Sequence, residues 1–283
     1  LAFAGGQFGF LLGFWFVAFA AAGWRFRRAN DTGLSLLWWS SVPVWGVFAV
    51  ASFGAEGQVN WPAAAYVGGL VLAVAWVRTQ QAHPAPWRRP LIAWCLGFSS
   101  ILGLSLSLGV HYPGLVRDPL AMLAGPSTET NTTPLRKLDP TCRLRGWRTL
   151  AREVDVIRER VRHETGRDPV IAGMVWTTPG ELSFYCRDHP EVYSLGLALA
   201  DRHSQYDLWR PNPVADAQAF RGRSFLYIGE QIPGANEVFE RVELPLRVVH
   251  AEHAVPVATW TVWVGHGFRG FGQLRLGTAP AGY

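Results

Sequence analysis

Three short clusters in this chain combine side chains that bind, stack or carry charge. The first is Glu56-Gly57-Gln58-Val59-Asn60-Trp61-Pro62. A carboxylate, two carboxamides and an indole suit a hydroxyl-rich ring: the polar groups hold its hydroxyls and the indole covers an apolar face. Glu56, Asn60 and Trp61 are the candidate binding residues. The structural alternative is a capped helix start beside an interfacial Trp. The second cluster is Arg202-His203-Ser204-Gln205-Tyr206-Asp207-Leu208-Trp209. Arg202, Gln205, Tyr206 and Asp207 are its candidates, because an arginine beside a phosphate makes charge-assisted bonds that a neutral group cannot replace. The cluster falls between regular segments, where functional residues collect. Its alternative is a loop held by an Arg202–Asp207 pair. The third, Asp139-Pro140-Thr141-Cys142-Arg143-Leu144-Arg145-Gly146-Trp147, reads as the structural start of a long helix.

Other chemistries are weakly represented. No phosphate loop of the GxxxxGK type, no GxSxG and no HExxH occurs. His250 and His253, on a strand, would face opposite sides, a poor metal pair. No cofactor and no metal ligand set is assigned, and a divalent cation stays open. Cys142 and Cys186 could meet in an oxidising compartment or stand apart as small buried residues. Both alternatives stand. Catalytic residues are not assigned.

The positioning elements divide the chain in two. Up to residue 112 it holds six basic residues (Arg25, Arg27, Arg28, Arg78, Arg88, Arg89) and two acidic ones (Asp31, Glu56). The remainder holds 20 basic and 19 acidic residues, so the basic balance belongs to the apolar half and offers no nucleic-acid surface. Runs at 3–24, 34–53, 62–77 and 91–112 are apolar enough for four transmembrane helices, the third being short. All six arginines fall in two loops, 25–32 and 78–89, which places those loops in the cytoplasm. The loop at 54–61 and everything after the fourth span are then outside. The chain opens on Leu1 inside an apolar run, so an upstream segment is expected.

Residues 113–138, rich in Pro, Gly, Ser and Thr, read as a linker. Leu144, Trp147, Leu150, Val154, Ile157 and Val161 recur at helical spacing, with Gly166 as the stop. Apolar runs at 169–176, 191–197 and 224–229 read as strands, and Thr178-Pro179-Gly180-Glu181 as a capping box starting a short helix. Residues 238–250 and 255–264 suggest an antiparallel pair at the end. The fold class expected is a membrane all-α part of four transmembrane helices, then a small extracytoplasmic α/β domain over 139–283 with a mostly parallel sheet.

The segments VNWPAAAY (59–66), DPTCRLRGW (139–147), ELSFYC (181–186) and HSQYDLW (203–209) resemble the C-terminal half of bacterial glycosyltransferase family 39 membrane proteins, over about residues 35–230. These are of the GT-C class, akin to protein mannosyltransferases and aminoarabinose transferases. Ser183 departs from the family's ELAFY-like helix. The resemblance implies a multi-pass protein of the bacterial inner (plasma) membrane with a periplasmic domain. It implies a polyprenyl-phosphate sugar donor and a lipid, glycan or protein acceptor at the cell envelope. It also implies a catalytic carboxylate in an upstream outside loop, so this 283-residue stretch alone is expected to be an inactive part of the transferase. The alternative is a non-enzymatic, membrane-anchored binding, sensor or transport-associated protein. Neither sugar nor acceptor identity is legible.

Overall fold

The computed structural model of the chain describes residues 2–54, 59–199, 204–232 and 234–272. It falls into two compact units, 1–113 and 114–283.

The first unit is helical. Helices α1 (Ala2–Phe10), α2 (Phe14–Arg25), α3 (Thr32–Ala51), α4 (Ala63–Gln81) and α5 (Arg88–His111) follow in order. Three of them, α3, α4 and α5, are long and apolar enough to cross a membrane. The count reaches four only if α1 and α2, bent by 109°, make one broken span. The continuous first span expected over 3–24 is therefore corrected. Leu12 and Gly13 both take positive φ (53° and 66°), a left-handed step that a right-handed helix cannot absorb. Elsewhere the ends follow local chemistry. Asp31 caps α3 by accepting from the Leu34 amide at 2.8 Å, and Pro62 stands just before α4. Large apolar side chains such as Trp39, Phe53, Trp94 and Phe98 stay exposed. An apolar surface of this kind suits lipid.

The second unit begins with α6 (Gly114–Ala124), so the linker expected over 113–138 shrinks to the turns at 125–133. Composition missed that Leu120 and Ala121 pack beside Leu135, Cys142 and Val257. Helix α7 (Trp147–Thr165) runs between two left-handed glycines, Gly146 and Gly166. It lays Leu150, Val154, Ile157 and Val161 on the sheet. Strand β1 (Val170–Gly173), helix α8 (Thr177–Tyr185) and strand β2 (Val192–Ser194) form a parallel crossover, and β3 (Phe225–Ile228) joins β1 in parallel on its other side. The helix start at Thr177 carries no side-chain cap, so the expected capping box is not made.

The short α9 (Ala235–Val238) precedes β4 (Phe239–Val242), β5 (Leu246–Glu252) and the 14-residue β6 (Val255–Phe268). Sheet order is β2-β1-β3-β6-β4, with β5 also on β6. Every pairing of β6 is antiparallel. The sheet is therefore mixed, not mostly parallel. The antiparallel pair expected at the end of the chain is β5–β6, joined by a tight hairpin in which His253 and Ala254 both have positive φ (49° and 67°). The unexpected feature is that β6 pairs antiparallel with β3 and β4 as well. The second face of the sheet buries Phe225, Tyr227, Phe239 and Phe268.

Candidate functional site

The helical unit holds a connected polar chain that reaches its buried interior. Trp45 Nε1 donates to the Tyr66 hydroxyl at 3.1 Å. That hydroxyl donates to Gln7 Oε1. Gln7 Nε2 donates to the Val59 carbonyl at 2.9 Å. Gln7 is fully buried. A bare carboxamide among apolar helices is costly, and here both its oxygen and its nitrogen are engaged. The two ends of the segment 59–66, Val59 and Tyr66, are thus pinned to one side chain. Asn60 and Trp61 follow the pinned carbonyl and remain exposed. The Asn60 carbonyl accepts from Ala63 at 3.1 Å, closing the turn into α4. The Trp61 ring sits 6.3 Å from that of Phe48. Glu56 lies outside the described residues. Sequence reasoning missed Gln7, Trp45 and Tyr66 as positioning residues. The available signal was Gln7 itself, the one polar group in its apolar run.

In the α/β unit, β2 borders a notch of about 60 Å3 lined by Ser183, Glu191, Val192, Tyr193, Tyr206, Trp209 and Pro211. The sequence segments 181–186 and 203–209 meet here. That volume admits a water or a single functional group, so a sugar ring could only lie across the mouth, where Trp209 is exposed. Tyr206 packs edge-on to Trp209 at 4.9 Å. Its hydroxyl approaches α8 so closely that a Cβ at Gly180 would stand 2.8 Å away. Burial, then the neighbouring Glu191 carboxylate, pushes the Tyr193 phenol up to about 12. Burial also raises the Glu181 carboxyl.

Asp207 is committed on one oxygen to its own loop. It is buried, and its Oδ2 accepts from the Ser204 amide at 2.7 Å and the Ser204 hydroxyl at 2.8 Å, closing a capping box around Gln205–Asp207. Its Oδ1 has no hydrogen-bond partner among the described residues. Gln205 is exposed. Arg202 lies outside the described residues, so the expected Arg202–Asp207 pair does too. Asn212, which sequence reasoning passed over, holds this loop on the sheet. Its Nδ2 donates to the Ser194 and Tyr206 carbonyls at 3.3 and 3.4 Å, and its Oδ1 accepts from Val214 at 2.8 Å. The Asn-Pro dipeptide was the available sign of a turn.

Two further clusters have structural roles. Glu164, Glu243 and His266 come within metal-ligand reach of one another, but Arg160 already bonds Glu243 at 2.7 Å and Glu164 at 3.1 Å. His266 is bonded to Glu243 at 2.7 Å and to Ser224 at 3.1 Å. An arginine in the middle opposes a cation there. Cys142 and Cys186 are both free and lie in separate apolar clusters. His253 sits in the hairpin turn and His250 bonds Thr149 at 2.9 Å.

Compared with family models, curated proteins and solved structures, the chain matches none.

Proposed function

We propose that this chain is the C-terminal part of a membrane glycosyltransferase that moves a sugar from a polyprenyl-phosphate donor to an acceptor outside the cytoplasm. The observation that carries the reading is the pinning of the segment 59–66 by Gln7. A buried carboxamide, a tyrosine and an indole are committed inside an apolar unit, and their effect is to fix the backbone that presents Asn60 and Trp61. A rigid carboxamide and indole at the end of a span suit a lipid-linked sugar emerging from the bilayer. The resemblance of four segments to family 39 transferases supports the same reading. Within the second unit, the Ser183–Tyr206–Trp209 notch supplies hydroxyls and an exposed indole suited to an acceptor.

The reaction would be an inverting displacement. An acceptor oxygen forms a bond to the anomeric carbon, a carboxylate base from an upstream segment takes its proton, and the phosphate oxygen leaves with the bonding pair. The residues in this chain bind and position; none is assigned as the base.

Donor binding tests the reading without requiring turnover. The chain would be placed in lipid nanodiscs and titrated with a long-chain polyprenyl monophosphate. Trp61→Ala and Gln7→Leu should each weaken binding about tenfold, about 1.4 kcal/mol. Equal binding of the phosphate-free polyprenol, or unchanged affinity in both variants, would refute it.

A further inference from the structure

At the opposite end of α4 from Asn60 and Trp61, the start of α5 closes a second recess. Trp76, Gln80, Trp87, Arg88, Leu91 and Ile92 line a space of about 440 Å3, within the range of ligand pockets. Arg88 is fixed at two points. Its Nη1 donates to Gln80 Oε1 at 2.7 Å, and its guanidinium carbon lies 5.4 Å from the Trp87 ring centroid. Among the described residues no carboxylate pairs with Arg88, and its buried Nε has no partner. The joining segment 78–89 carries Arg78, Arg88 and Arg89 and no Asp or Glu. Arg78 and Arg89 are exposed. The same recess is walled by two indoles and two aliphatic side chains at the ends of membrane-length helices.

We propose that this recess binds the phosphate headgroup of an anionic glycerophospholipid, in the leaflet at the arginine-rich ends of α4 and α5, with an acyl chain along Leu91 and Ile92. Charge complementarity selects the occupant. The guanidinium has donors to spare for phosphate oxygens and lacks a protein counter-charge. A zwitterionic headgroup would bring its own cation toward Arg88, in a segment that carries two further arginines and no carboxylate. Free phosphate would leave the indoles and aliphatic walls unmatched. Basic recesses between spans at the cytoplasmic face are the usual setting for such lipids. The site is independent of the glycosyl-transfer reading.

The test uses the 283-residue chain in nanodiscs of mixed phosphatidylglycerol and phosphatidylcholine, with retained lipid counted by native mass spectrometry. The wild type should retain one phosphatidylglycerol with at least about fivefold preference. Arg88→Gln should bring that preference near unity while leaving polyprenyl phosphate binding unchanged. Gln80→Ala, which frees the guanidinium, should lower it two- to fivefold and decides the matter if Arg88→Gln does not fold. Equal retention of both lipids by the wild type overturns the proposal. So does an unchanged preference in a folded Arg88→Gln or in Gln80→Ala, or displacement of the lipid by millimolar inorganic phosphate.

Discussion

Arg145→Ala should be among the most damaging single changes outside the apolar core. The Asp139 side chain is only 4% exposed, and Arg145 is its charge partner. Arg145 also reaches Glu252 at 2.8 Å, tying the turn before α7 to the end of β5. Removing one member of a buried pair leaves the other charged and undersolvated, a cost of about 3–5 kcal/mol. Asp139 keeps bonds from the Thr141 amide at 2.9 Å and the Thr141 hydroxyl at 2.6 Å. Glu252, at 27% exposure, can recover water. Both facts place the expected loss at the low end, about 3 kcal/mol, or about 6–12 °C in Tm. Arg158→Ala is the control. Its partners Asp168 and Asp188 are 44% and 61% exposed, so it should lose about 1 kcal/mol or less. Chemical denaturation of the detergent-solubilised chain, followed by near-ultraviolet circular dichroism, measures both. Asp139→Leu with Arg145→Met should recover most of the loss, because an apolar pair needs no solvation. If Arg145→Ala costs no more than Arg158→Ala, the cluster 139–147 is not held by this pair and its structural reading fails.

Burial pushes the Cys186 thiol up to about 12 and raises that of Cys142. In a Cys95→Ser background, maleimide at neutral pH should label the chain only after denaturation, and reduction should leave gel mobility unchanged; rapid native labelling would contradict this. Burial pushes Glu243 upward, but hydrogen bonds from Arg160 and His266 outweigh it and hold the carboxyl below its usual range. Its stabilisation is therefore present above about pH 4.3 and lost as pH falls through the lower folded value. Glu243→Gln should flatten the acid limb of the stability curve, and an unaltered limb counts against the network. Glu181, raised by burial, works with the opposite sign: its ionised form opposes folding above the unfolded carboxylate range. Glu181→Gln should raise Tm at pH 7, and a lower Tm would show that the charge is used structurally. For orientation, a cysteine at Ser127 should react with an impermeant reagent in intact cells and one at Ala82 should not; labelling at Ala82 alone reverses the assignment.

The sequence by itself determined the features that follow from local period and composition. Apolar runs of about bilayer length, the one at 62–77 being shorter, gave α3, α4 and α5, because within such a run only a helix satisfies its own backbone. The spacing of Leu150, Val154, Ile157 and Val161 gave α7, and a left-handed glycine ended it where Gly166 was expected. The approximate strand positions were legible for the same reason. Only the tertiary structure decided how these pieces combine. The break at Leu12–Gly13 is a matter of two backbone angles that hydropathy does not encode. The antiparallel pair expected over 238–250 and 255–264 forms as β5 and β6, but that β6 also pairs antiparallel with β3 and β4 depends on contacts remote in sequence that no local signal encodes. The α6 segment looked like linker because its packing partners, Cys142 and Val257, are remote in sequence. The candidate sites show the same division. Asn60, Trp61 and Tyr206 were legible by residue type, since stacking and hydrogen bonding belong to single side chains. The roles of Gln7, Asn212 and Asp207 were not. Gln7 and Asn212 act through backbone carbonyls brought close by folding, and Asp207 through a turn whose capping geometry only the folded loop sets.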